Sequence, residues 1–181
     1  MPVSEARLAK IMALANGEIP DGPDPGAFTD QDWERYGAEA DALVRDFCRT
    51  NTEPEELHEF ARFWNWDSGN WVFEEILNNP VCEAATALLI YWHAAPEFFR
   101  QYTDANSVAA AMADVDMFEF ISRIEARYVA GDFPVGRISF DPCQMGEQDG
   151  YSFVGRYDDL KDNFVRELPA VVYLPVIGQG S

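Results

Sequence analysis

Apolar positions recur at helical spacing over most of the first 130 residues and lose that spacing afterwards. Ser4 stands ahead of a first helix over 5–15, which Asn16-Gly17 ends. GEIPDGPDPGAF follows, with three prolines and three glycines, and reads as a loop. Thr29 with Asp32 forms a capping signal. Trp33, Tyr36, Ala40, Leu43, Val44 and Phe47 then carry a helix to about Arg49. Thr52-x-x-Glu55 has the form of a capping box, with Pro54 in the first turn, ahead of Leu57, Phe60, Ala61 and Trp64 on one face. Asn65–Gly69 breaks that helix, and a short one with Trp71, Val72, Ile76 and Leu77 runs to Asn78-Asn79-Pro80. Residues 81–93 are apolar almost all round after Glu83, which predicts a central core helix. Pro96 bounds a further short helix with Phe98, Phe99 and Tyr102. Asn106 or Ser107 caps a helical run to about Tyr128, with a break near Asp114–Asp116, closed by Ala130-Gly131 and Pro134.

Past Pro134 the pattern changes. RISF and YSFVGRY alternate, AVVYLPVI is β-branched, Asp141–Gly150 is a polar link, and a short helix fits between Asp158 and Glu167. The expected fold is α+β, mainly α. It is a single domain over 1–181, with a helical part of about six to seven helices over about 4–130. A small antiparallel β element sits in a β-containing part over about 135–178. No internal repeat is clear enough to predict a solenoid, although the short helix pairs between 52 and 129 allow a repeat-like stack.

Charge changes the picture more than composition does. The 181 residues hold 32 acids and 13 bases, a net charge of −19. The acids are spread along the chain and form no tail. Such a chain repels nucleic acid, which needs a basic footprint, and attracts basic partners fastest at low salt. Solubility, or an acidic host proteome, is the plainer explanation. Three scattered cysteines with no CxxC read as free thiols in a reducing compartment. The first twenty residues lack a signal-peptide layout, and no run approaches the ~20 apolar residues that span a bilayer. A cytoplasmic location is the expectation.

Glu55-x-x-His58 has the spacing of one half of a di-metal helix site, but Ile90 stands where the second pair would need a carboxylate before His93. Neither a metal nor a cofactor is therefore expected. His58 or His93 with a carboxylate is the minimum for acid–base catalysis. No nucleophile elbow accompanies them, and a histidine among aromatics is more often a satisfied core residue. Glycine-rich phosphate loops are absent, and Asp141–Asp149 departs from a calcium loop in spacing. Residues 58–77 remain, HEFARFWNWDSGNWVFEEIL, where aromatics and acids interleave as they do in protein-binding hot spots. Helical phasing assigns most of these aromatics to the core; Trp66 and Trp71 flank a turn.

Three motifs in this region stand in order: Trp64-Asn65-Trp66-Asp67, Asn79-Pro80-Val81-Cys82, and Thr86 through Trp92. Through them residues 57–99 resemble the uncharacterised bacterial domain of unknown function 4274. The resemblance brings no established activity. It implies a small acidic protein of the sort found beside secreted or contact-delivered bacterial toxins. It also implies that Asn-Trp-Asp is a joint between two helices, with Asp67 available as a cap. The expected function is a non-enzymatic acidic binding protein, an immunity protein neutralising a cognate toxin by direct binding. Asp67, Trp71, Glu74 and Glu75, and further on Asp158 and Asp159, are the candidate binding residues. The expected partner is a protein, a basic bacterial toxin, with neither nucleic acid nor membrane involved. The alternatives are a small enzyme using a His–carboxylate pair and a helical-repeat-like adaptor module.

Overall fold

Capping side chains decide where the helices start. In a computed structural model, residues 3–23, 26, 28–144 and 152–179 are described, with Asp67 described in its backbone alone. The chain divides into two compact units, Met1–Cys82 and Glu83–Ser181.

In the first unit, α1 (Glu5–Ala15) begins at Ser4, whose hydroxyl accepts from the Arg7 N–H. Helix α2 (Asp30–Thr50) begins with a complete capping box between Thr29 and Asp32. Helices α3 (Pro54–Phe63) and α4 (Trp71–Asn78) follow, joined through a 3-10 turn at Trp66–Ser68. Helix α1 packs on α2 and α3, and α4 packs on α2 and α3. The core holds Ile11 and Leu14, Val44 and Cys48, Leu57 and Phe60, and Val72, Phe73 and Ile76. Each large aliphatic or aromatic group buried there contributes about 1.5–3 kcal/mol.

One cap differs from the sequence expectation. Helix α3 is bounded by Glu53 and has no side-chain cap bond, because Pro54 already removes one orphan N–H; Thr52 and Glu55 form no box. Helix α4 starts after Asn70, whose side chain makes no cap bond; the Asp67 side chain, expected as a cap, lies outside what is described. The Asn-Trp-Asp joint is held by its tryptophans. Trp64 stacks on Phe60 and donates its indole N–H to the Gly69 carbonyl at 2.9 Å, while Trp66 lies 4.2 Å from the Phe73 ring. Gly69 has φ +92°, a conformation that favours glycine.

The Asn79-Pro80 motif also has a structural task. The last carbonyls of α2 have no partner within their helix. The buried Asn79 amide donates to the Cys48, Asn51 and Arg49 carbonyls at 2.8, 3.0 and 3.3 Å. Its own oxygen accepts from the Val81 N–H at 3.0 Å.

The second unit is organised on α5 (Ala84–His93), in which every residue from Ala84 to Trp92 is buried. Helix α6 (Ala105–Ala110) starts at a capping box of Asp104 with Ser107, one residue pair earlier than Asn106. Helix α7 (Val115–Ala130) starts at Asp114 and ends on Gly131 at φ +77°. Helix α7 packs on both α5 and α6. The Tyr91 hydroxyl donates to Glu125 on α7 at 2.8 Å.

The expected β element is absent from the described residues. Between 135 and 178 a single antiparallel bridge joins Phe140 to Val176. AVVY forms a 3-10 helix at Ala170–Tyr173, and 158–163 forms another in place of the helix expected over 158–167. Most of the polar link, residues 145–150, lies outside the described residues, as does Tyr151 of the YSFVGRY run. Prolines 142, 169 and 175 lack the N–H that a ladder needs, so β-branched runs this short cannot extend a pair. The segment is instead gripped by polar groups of the helical part. The buried Glu83 carboxylate accepts from the Ile138 N–H at 3.0 Å, and the buried Glu97 carboxylate from the Gly155 N–H at 3.0 and 3.1 Å. The Trp92 indole donates to the Val172 carbonyl at 2.8 Å, and Arg100 Nε to the Arg166 carbonyl at 3.1 Å. Gly136 must lack a side chain, since a Cβ there would run into the Glu83 carboxylate.

Asn79→Ala leaves three carbonyls at the end of α2 without their donor. The expected loss is about 1–3 kcal/mol of stability, read as a lower urea midpoint at unchanged slope. An unchanged midpoint contradicts the capping role.

Candidate functional site

Arginine is scarce, so where each guanidinium goes decides which acids remain available. On α2 and α4 the Glu75 carboxylate receives Arg45 at 2.8 Å and Arg49 at 2.6 and 2.7 Å, with its side chain only 16% exposed. The Arg49 hydrogen bonds hold its carboxyl below the usual carboxylate range against the opposing effect of burial, and the Arg45 bond adds to them. Arg45 also sits 4.4 Å over the Trp71 ring, which meets Trp64 edge to face. Glu75 and Trp71 are thereby engaged in holding α2 to α4.

The other expected binding residues are placed variously. Glu74 is half-buried on α4, and the Asp67 side chain lies outside what is described. Asp158 and Asp159 belong to the second unit, exposed on a 3-10 helix, with Asp158 paired to Lys161 at 2.7 Å. Glu56 is occupied as well. It receives Arg7 through two bonds of 2.8 and 2.6 Å and the Asn51 amide at 2.8 Å. The Arg7 bonds hold its carboxyl below the usual range, opposed by burial.

On the outer side of α2 the balance is different. Its three arginines are committed: Arg35 to Asp32, and Arg45 and Arg49 to Glu75. Glu34, Glu39, Asp41 and Asp46 are exposed and form no ion pair with another described residue. The same helix exposes two large apolar side chains, Trp33 at 50% and Leu43 at 40%. Trp33 rests against Phe28 and Tyr36, and the Tyr36 hydroxyl accepts from the Ile19 N–H at 2.8 Å. Beside Leu43, between α1 and α2, opens a cavity of about 360 Å³. Leu14, Pro20, Leu43 and Phe47 form its apolar wall, and Arg7, Asp46, Thr50 and Asn51 its polar rim.

Sequence reasoning counted Trp33 and Leu43 with the helical stripe and passed over α2 as a binding face. Periodicity locates an apolar face but not which of its margins stays uncovered. The available signal was local charge: residues 30–50 hold six acids and three bases.

The two histidines lie in different units. Burial, joined by the nearby Arg62 charge, pushes the His58 imidazole down to about 4. His93 belongs to the other unit, edge-on to Phe153 at 4.7 Å. No three His, Cys, Asp or Glu side chains converge as metal ligands among the described residues. Cys48, Cys82 and Cys143 are free thiols. Among the described residues no helix is long and apolar enough to cross a membrane.

The histidine shift has a stability consequence. The unfolded chain takes up a proton near pH 6.5 while the folded His58 resists until about 4, so stability is complete above pH 6.5 and declines as pH falls toward 4. The decline is roughly 3 kcal/mol at most. His58→Phe is expected to flatten this part of a stability–pH curve; an unchanged curve contradicts the neutral imidazole.

No curated protein and no solved structure matches the chain. The exposed acids of α2 lie ahead of the stretch that matches a family model. Residues 52–129, from α3 through nearly all of α7, match the family model described as a domain of unknown function (DUF4274).

Proposed function

We propose that this chain is a non-enzymatic binding protein for a basic protein partner, and that it serves as an immunity protein that neutralises a cognate bacterial toxin by direct binding. One observation carries the reading: α2 commits its arginines to internal pairs and leaves Glu34, Glu39, Asp41 and Asp46 exposed, with Trp33 and Leu43 exposed on the same helix. Exposed aromatic and aliphatic side chains on an acidic helix suit a contact that combines anchoring with electrostatic steering. The anchors supply desolvated contact, and the acids raise the encounter rate. A toxin that cleaves nucleic acid must itself be basic to hold its substrate, which makes an acidic face complementary to it. The net charge of −19 extends the attraction beyond the contact itself. Where such a face covers the toxin's substrate groove, inhibition follows from occlusion and needs no chemistry on either side.

The test is capture from the native host with the tagged full chain, followed by kinetics on the captured protein. A basic protein is expected, with an association rate that falls as salt rises. Reversing charge with Glu34→Lys, Glu39→Lys and Asp41→Lys together is expected to slow association by about tenfold or more. Capture of nothing, or binding indifferent to salt and to charge reversal, contradicts the proposal.

A further inference from the structure

The cavity between α1 and α2 has two chemical demands that one kind of side chain meets together. Its wall is apolar, built from Leu14, Pro20, Leu43 and Phe47. At about 360 Å³ it lies at the small end of the range for ligand pockets, with room for one long side chain. The charges around it are compensated except at one place. Arg7 on the rim is neutralised by two bonds from its guanidinium to Glu56. Lys10, one turn further along α1, pairs with Asp21 in the loop next to Pro20. Thr50 turns its hydroxyl to the Asp46 carbonyl, and Asn51 turns its amide to Glu56. Asp46 alone brings to the rim a carboxylate that pairs with no other described residue.

We infer that this cavity is the receptor for one long basic side chain, arginine or lysine, of a protein partner. The methylene stem lies along Leu14, Leu43 and Phe47, and the cationic head meets the Asp46 carboxylate. Basic side chains bury their stems on apolar surface while the head stays in contact with water and counter-charge, which is the pattern this rim and wall provide. Arginine has the added match of a planar guanidinium for a carboxylate and for the Phe47 ring, over which Arg7 already lies at 5.7 Å. A carboxylate-bearing side chain is repelled by Asp46. A purely apolar one fills the wall but leaves the rim charge without a partner. The inference rests on the reading of the chain as a binder of basic proteins, and it names the anchor point of that contact.

The pocket can be tested without any partner. The probe is blocked Gly-Arg-Gly peptide titrated into the full-length, isotope-labelled chain, followed by amide chemical shifts. Blocked Gly-norleucine-Gly, with a similar stem and no charge, is the control. Saturable shifts are expected at amides of α1 and at residues 43–51 of α2. The norleucine peptide and the Asp46→Asn variant are each expected to weaken binding by at least about threefold. Leu43→Ser is expected to weaken both peptides alike. Equal binding of the two peptides, or no effect of Asp46→Asn, overturns the inference. So does a diffuse, unsaturated response over the whole acidic surface. Specific arginine binding with no captured partner leaves the pocket standing while the toxin-binding reading fails. A captured partner indifferent to Asp46→Asn gives the converse.

Discussion

The constraint on which this structure turns is the shortage of positive charge. With 32 carboxylates and 13 cationic side chains, most acids cannot have a cation of their own. A carboxylate taken out of water must nonetheless be satisfied. The fold answers in two ways. Glu75, Glu56 and Glu125, each mostly shielded, receive guanidinium groups from Arg45 and Arg49, from Arg7, and from Arg166. Glu83 and Glu97, more deeply buried, take backbone N–H groups from Ile138 and Gly155 instead. The second solution has a further consequence: it pins a proline-interrupted segment that cannot pair with itself as a sheet.

The same shortage shapes the exterior. With the arginines of α2 engaged by Asp32 and Glu75, Glu34, Glu39, Asp41 and Asp46 form no ion pair with another described residue. They repel one another at modest cost to the fold and create a field that a basic surface would relieve. The exposed Trp33 and Leu43 lie within that field. Beside the dense aromatic stretch, Glu56 and Glu75 are engaged by arginines, and the acids proposed for binding lie on the helix before it.

Much of the helical architecture was legible in the sequence because its determinants are local. Ser4 and Thr29 with Asp32 cap the helices they precede, Gly131 ends α7, and residues 84–92 are buried as their unbroken apolar run predicts. The β element was not, because alternation in RISF and AVVYLPVI says nothing about whether a partner strand exists, and the distant groups that hold these segments leave no periodic trace. The candidate site divides likewise. Glu75 was identifiable as an acid beside aromatics, but its capture by Arg45 and Arg49 depends on residues 26 and 30 positions away. The role of Asn79 was hidden for the same reason, its acceptors lying 28 to 31 residues back. The Asn-Trp-Asp stretch was read as a joint, and indole contacts invisible to periodicity secure it.

The central claim is that the outward acids of α2 are held for recognition and are dispensable to the fold. It is tested most directly by neutralising Glu34→Gln, Glu39→Gln, Asp41→Asn and Asp46→Asn together and measuring unfolding free energy at low salt. The account predicts stability within about 0.5 kcal/mol of the parent, or higher through relief of like-charge repulsion. A loss of more than about 1 kcal/mol would show that these acids hold the structure together, and would contradict it.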